Sequence, residues 1–204
     1  MILGKPSSAL LLVSYFIIVD CKVPLVQKVY NIRKFLWTPK PIWTYATTGT
    51  GNCWCQADVN QVIQEKEVIY THYFLNKAEM KRHTRLVGVF DKKNIMYVHP
   101  YGSTYKVKHE ITFFDKQAKC AVFRVLSMSS FVGHVNKVDL RVWNTSDVAV
   151  SARPCLLSFK KQTRGGHIIY KNMCQKMFEK SRASQDLDIE GRKSPHDTVC
   201  HNEA

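Results

Sequence analysis

The sequence predicts an all-β protein, an antiparallel barrel or sandwich. Eight short segments between Ile42 and Asn144 follow one another at close, regular spacing, separated by Asp, Asn, Lys and Gly turns. Within them apolar and polar residues change places at every second position, and β-branched and aromatic residues dominate. One apolar stretch at helical spacing precedes the strands and another follows them.

Taken in order, the first twenty-one residues stand apart. Lys5 leads into an apolar run from Ala9 to Val19, with small residues acceptable for cleavage at Val19 and Cys21. That is the pattern of a secretory signal peptide, too short to span a bilayer, which needs roughly 20 apolar residues. The expected domains are therefore a signal peptide at 1–21, a barrel at 22–176 and a poorly ordered tail at 177–204. No second long apolar run occurs, so no membrane span is expected.

Val26 to Leu36 reads as a short helix with Val26, Val29, Tyr30 and Phe35 on one side, stopped before Pro39 and Pro41. The strands expected next are 42–48, 53–62, 68–75, 85–90, 94–98, 105–114, 120–125 and 138–144. The charged run from Lys77 to Arg85 reads as a solvated connection. Pro154 to Gln162 reads as a second helix, begun by Pro154 and ended before Gly165-Gly166. His167 to Asn172 is a last short strand. From Gln175 apolar residues thin out.

Removing Cys21 with the signal leaves Cys53, Cys55, Cys120, Cys155, Cys174 and Cys200. An even number in an exported chain suggests three disulfides, and spacing alone leaves the connectivity open. Cys53-x-Cys55 lacks the two-residue gap of a zinc knuckle, so no metal is expected. Asn144-Thr145-Ser146 is a sequon, placing an N-glycan at Asn144.

Residues 119–144 carry the sharpest information. Alternation puts Asp139, Arg141 and Trp143 on one face of a strand and Val138, Leu140 and Val142 on the other. The aliphatic face belongs against something apolar. Periodicity does not say which face looks inward.

Several short motifs resemble the tick salivary lipocalins related to the histamine-binding proteins. They are Pro41-Ile42-Trp43-Thr44-Tyr45 with Thr47-Thr48, Cys55 followed by Asp58-Val59, and Leu86-x-Gly88-x-Phe90. Cys120-Ala121-Val122-Phe123, Asp139-Leu140-Arg141-Val142 before the sequon, and Ile169-Tyr170 before Cys174-Gln175 complete the set. The resemblance covers about residues 25–176. It implies an eight-stranded antiparallel up-and-down lipocalin barrel with a short N-terminal helix and a C-terminal helix. It also implies disulfides Cys55–Cys174 and Cys120–Cys155. Cys53 and Cys200 have no counterpart in the family, and a third bond between them is expected.

The resemblance turns Asp139 and Arg141 into the lumen. Amine-binding members carry an acid after the seventh-strand cysteine and Glu-Leu-Trp or Glu-Leu-Tyr on the eighth strand; here Ala121, Asp139 and Arg141 stand at those places. A guanidinium beside what reads as the lumen's only acid repels an ammonium and favours a carboxylate. The expected ligand is an anionic lipid, a fatty acid or an eicosanoid, ahead of histamine or serotonin. The candidate ligand-binding residues are Asp139, Arg141, Phe123, Trp143, Tyr70 and Phe74, with Trp43 and Tyr45 read as core. Asp139 and Arg141 either touch ligand or pair with each other.

Lys and Arg outnumber Asp and Glu by 14 over the chain, and the excess lies in the barrel, not the tail. A surface so basic offers a second function, binding of a host protein or an anionic glycan with the barrel idle. No catalytic constellation, phosphate loop or aromatic–basic nucleic-acid motif appears. The expectation is a monomeric binding protein without cofactor, not an enzyme.

Overall fold

The computed structural model describes residues 28–127 and 136–179. The expected signal peptide, the tail beyond residue 179, the loop containing Gly133 and Cys200 lie outside them.

A five-residue helix, α1 (Ile32–Leu36), precedes eight strands: β1 (Ile42–Thr47), β2 (Trp54–Ile63), β3 (Glu67–Leu75), β4 (Lys81–Lys92), β5 (Ile95–Pro100), β6 (Val107–Asp115), β7 (Cys120–Ser127) and β8 (Asn136–Trp143). Helix α2 (Val148–Gln162), a two-residue β9 (His167–Ile168) and a 3-10 turn (Asn172–Phe178) follow. Each strand pairs antiparallel with the next, and β1 pairs with both β8 and β2, which closes the sheet. β9 attaches to the far end of β1 at Ala46 and Thr47. The predicted eight-stranded up-and-down barrel is the one observed.

Closure gives the chain two cores, one on each side of the sheet. Inside, α1 plugs one end of the barrel and places Ile32, Phe35 and Leu36 against Ile42, Phe90, Ile111 and Phe123. Outside, α2 lies on the wall made by Val122, Val138, Leu140 and Val142 and buries Val148, Ala152, Cys155 and Phe159 against it. The 4-3-4 spacing of those four residues is one helical face. Disulfides Cys120–Cys155 and Cys55–Cys174 staple α2 and the C-terminal turn to the barrel. Both pairings are those implied by the family resemblance.

Four boundaries differ from expectation. Helix α1 starts at Ile32 rather than Val26 within the described residues, because the Asn31 side chain accepts the Lys34 N–H and caps it. Helix α2 starts six residues before Pro154, where Asp147 accepts the Val150 N–H. Pro154 sits inside the helix, at an exposed position. Strand β4 begins at Lys81, so half of the charged run is strand. Its register with β3 is unbroken from Leu75↔Lys81 to Glu67↔Val89, and the charges on its outer face remain in water. The last strand is only His167–Ile168. Gly166, with φ +141, makes the turn that brings it onto β1.

Candidate functional site

Strand β8 fixes the orientation of the lumen. Val138, Leu140 and Val142 point outward under α2, and Asp139, Arg141 and Trp143 point inward. Both faces are buried, for different reasons: one packs beneath a helix, the other lines the barrel.

The lumen floor is aromatic. Phe35 from the plug meets Phe114, Phe123 and Trp143, with ring centroids 5.4, 5.4 and 6.2 Å away. The Trp143 indole donates its N–H to the Phe35 carbonyl at 2.8 Å, tying plug to wall. A bulge between Ile111 and Phe113 in β6 shifts the alternation, which is why Ile111 and Phe114 both face the interior core despite their odd spacing.

A buried ionic network faces the same lumen. Arg141, 5% exposed, donates from one terminal nitrogen to Asp58 Oδ2 at 3.1 Å and from the other to Asp139 Oδ2 at 3.2 Å. Its guanidinium lies over the Phe123 ring, 4.8 Å from the centroid. Ala121, directly opposite Arg141 across β7–β8, presents only a methyl group. Thr47, opposite Asp139 on β1, donates its hydroxyl to Asp139 Oδ1 at 2.7 Å, and Lys137 Nζ lies 3.5 Å from Oδ2. His72, opposite Asp58 on β3, meets Asp58 Oδ1 through Nδ1 at 2.6 Å.

Burial alone pushes a carboxyl pKa up, and here the partners outweigh it. Asp139 is held down at about 2 by Lys137, Arg141 and the Thr47 hydroxyl. Asp58 is also lowered, by the His72 hydrogen bond and charge and then by Arg141. Burial acts to lower Arg141, but Asp58 and Asp139 raise it on balance. Tyr70 is raised well above its ordinary value by burial and by Asp58, so its phenol stays protonated. Two carboxylates therefore face two cations, Arg141 and Lys137, and the network is close to charge-balanced.

Two buried polar atoms of this region have no hydrogen-bond partner among the described residues: Arg141 Nε and His109 Nδ1. His109 stands on β6 opposite Val125, whose other neighbour is Lys137. Burial and the Arg141 charge hold its pKa down to about 3, so the imidazole is neutral. Both terminal guanidinium nitrogens and all four carboxylate oxygens have a partner in the network. Among the described residues Arg141 Nε and His109 Nδ1 are the nitrogens of this cluster left with no partner.

The expected residues divide accordingly. Asp139, Arg141, Phe123, Trp143 and Tyr70 lie together on the inner face, and Asp139 and Arg141 do pair with each other. Phe74 shares the alternation of Val68, Tyr70 and His72 and is buried farther along β3, beside His72. Trp43 and Tyr45 point outward, stacked on Tyr170 beneath the C-terminal segment. Where the alternation and resemblance pointed to one acid in the lumen, the described residues place two there, Asp58 and Asp139. Asp58 was missed, along with Thr47, Lys137 and the roles of His72 and His109. The signal lay in Gln56-x-Asp58-x-Asn60, a polar alternation that reads like a solvent face. In the structure its other face, Cys55 and Ala57, is buried in the outer core. Among the described residues, no group of three or more His, Cys, Asp or Glu side chains is placed to hold a metal.

A closed eight-stranded meander with an N-terminal plug and a C-terminal helix against its outer wall answers the architectural question. The fold is that of a lipocalin. No family model and no curated protein matches the chain. Among solved structures, aphrodisin, described as a sex pheromone from female hamster, aligns with 61% of this chain and 87% of its own, at 9% identity and a TM-score of 0.42. The lipocalin assignment stands on strand order and closure in this structure. No helix among the described residues is long and apolar enough to cross a membrane.

Proposed function

We propose that this lipocalin is a secreted, monomeric salivary protein of the tick type that sequesters one small, mainly apolar host mediator in its lumen. The ligand is held, not transformed. Its head group is an oxygen acceptor that takes the Arg141 Nε–H, and its body lies against Phe123, Tyr70 and Phe74, with His109 farther along the same lumen. The observation that carries this reading is the unpartnered Nε of a buried guanidinium whose other nitrogens are already engaged. A buried charged donor without a partner costs on the order of 1–3 kcal/mol or more, and a ligand oxygen would remove that cost.

The second acid narrows the head group. A carboxylate enters a network already close to charge balance, with Lys137 committed to Asp139, so its own charge adds one that the network does not offset. A hydroxyl or carbonyl needs no such compensation. An ammonium finds every carboxylate oxygen already accepting and meets an unmatched donor instead. Oxygenated lipids, whether neutral or acid, therefore come ahead of histamine and serotonin.

The expected leader at 1–21 and the short motifs of the sequence support the salivary assignment, and the disulfides suit an oxidising compartment. Cys53 is disulfide-bonded, and we assign it to Cys200, holding the tail. At Asn144 the side-chain oxygen accepts from Trp43 Nε1 at 3.1 Å and Gln175 Nε2 at 2.8 Å. The amide nitrogen takes part in neither bond, which suits a glycan there.

Native mass spectrometry before and after organic extraction tests for a carried molecule. Calorimetric titration with a fatty acid, the matching alcohol and histamine then ranks head groups. Arg141→Lys keeps the charge and removes Nε–H, and should weaken the acid and the alcohol. Tighter binding of histamine than of either would overturn the reading.

A further inference from the structure

Three cations on the outside of the barrel are each seated on an aromatic ring. Lys171 Nζ lies 4.1 Å from the Trp54 ring centroid. Lys81 Nζ lies 5.0 Å from Tyr73 and 5.7 Å from Phe178, and Arg85 lies 5.0 Å from Tyr101. The sheet register lines them up. Trp54, Leu75 and Lys81 are direct neighbours across β2, β3 and β4. Lys81, His83 and Arg85 follow at every second position along the outer face of β4, with His83 against Tyr73. At about 4.8 Å per strand and 3.4 Å per residue the band runs roughly 10 Å across the sheet and 14 Å along it. The cations are exposed, and among the described residues none of the three forms an ion pair with a carboxylate.

This differs from an ordinary solvated face. Lysines on a solvated face wave freely, whereas these are held by ring quadrupoles with their charge still turned to water. Trp54 is 37% exposed and Tyr101 67% exposed, so apolar ring surface alternates with fixed positive charge. Sugar rings lay C–H faces on such aromatics, and sulfates meet the ammonium and guanidinium groups. A protein with disulfides works in an oxidising compartment, where the abundant linear polyanions are sulfated polysaccharides, not nucleic acids. We infer that the Lys171–Trp54–Lys81–Arg85 band binds a linear sulfated polysaccharide, independently of the lumen.

Heparin serves as the probe, with the intact secreted protein. Lys81→Ser/Arg85→Ser/Lys171→Ser is compared with Lys34→Ser/Arg124→Ser/Lys161→Ser, which removes the same charge from exposed positions elsewhere. The band variant should lose heparin affinity about tenfold or more and show a shallower salt dependence, while the control keeps most of its affinity. Trp54→Ala should weaken binding at unchanged charge. Unfolding curves confirm that all three remain folded. Equal losses from the two triple variants would reduce the effect to net charge and overturn the proposal. So would tighter binding of single-stranded DNA or polyglutamate than of heparin at equal charge concentration.

Discussion

Replacing Arg141 by Met tests the logic of the lumen most directly. Met keeps an unbranched apolar stem and removes the guanidinium, together with its contact to Phe123. Two buried carboxylates, at 3.1 and 3.2 Å, then lose their shared partner. At an effective dielectric of about 20, each such pair is worth roughly 4 kcal/mol, and stranding a buried partner typically costs about 3–5 kcal/mol. Asp58 keeps His72, and Asp139 keeps Thr47 and Lys137, so the expected loss is near the lower end, about 3 kcal/mol. With an m-value of about 1–3 kcal/mol/M, that moves the urea midpoint down by roughly 1–3 M at pH 7. The loss should shrink as pH falls towards 4, because the stranded carboxylates can then take up protons. Asp58→Asn/Asp139→Asn/Arg141→Met should recover most of the stability, since no buried charge is left uncompensated. A cost below about 1 kcal/mol, or a triple variant no better than Arg141→Met, would refute the reasoning.

Other measurements bear on neighbouring parts of the structure. His109, held down to about 3, resists protonation in the folded state and accepts it in the unfolded state. Its contribution is full above pH 6.5 and lost as pH falls from there towards 3, by about 5 kcal/mol over the whole window. His109→Gln should flatten the stability profile between pH 6.5 and 4, and an unchanged profile would contradict the burial argument. Asp139, held at about 2, adds a loss of about 2 kcal/mol confined to the range below pH 4, and Asp139→Asn should remove that part of the acid limb in urea titrations. Replacing Cys120 and Cys155 together by Ala opens a loop closed over 35 residues and should cost about 4 kcal/mol in a denaturant melt. Gly166→Ala would place a Cβ 2.8 Å from the Phe159 ring at a φ that disfavours side chains, and should lower stability by about 1–3 kcal/mol.

The architecture was readable because alternation is local. Val138, Leu140 and Val142 announce one apolar face, and eight such segments in sequence suggest a closed or packed sheet. Which side of a strand is inside is not local, since α2 buries the outer face of β8 as thoroughly as the lumen buries the inner one. For the same reason Asp58 escaped notice. Gln56, Asp58 and Asn60 look like a solvent face until β1 pairs with both β2 and β8, bringing Asp58 within 3.1 Å of a residue 83 positions away. The Lys77–Arg85 run misled in the opposite direction. Charge density suggested a loop, but on an outer barrel wall alternate charged residues cost little, and the rings of Tyr73 and Tyr101 support them. Pro154 was taken for a helix start, although the stronger signal lay upstream in Asp147 and the spacing of Val148, Ala152, Cys155 and Phe159.

The ionic network also bears on why such a lumen would retain charge at all. An apolar filling of the same volume would often be as stable or more so, because desolvating three ionised groups offsets most of their mutual attraction. What an apolar filling lacks is a donor fixed in direction. Asp58 and Asp139 grip the guanidinium from two strands that flank β1, and Phe123 supports its face, so Nε cannot swing to find another acceptor. Preorganisation of this kind reduces what a ligand must give up on binding, since the polar anchor is already desolvated and ordered. It also links occupancy to stability: a ligand that completes the Nε–H should raise the unfolding free energy in step with its concentration over Kd. The ion pair and the ligand contact, which the sequence posed as alternatives, are then two uses of one side chain, with terminal nitrogens for the fold and Nε for the guest.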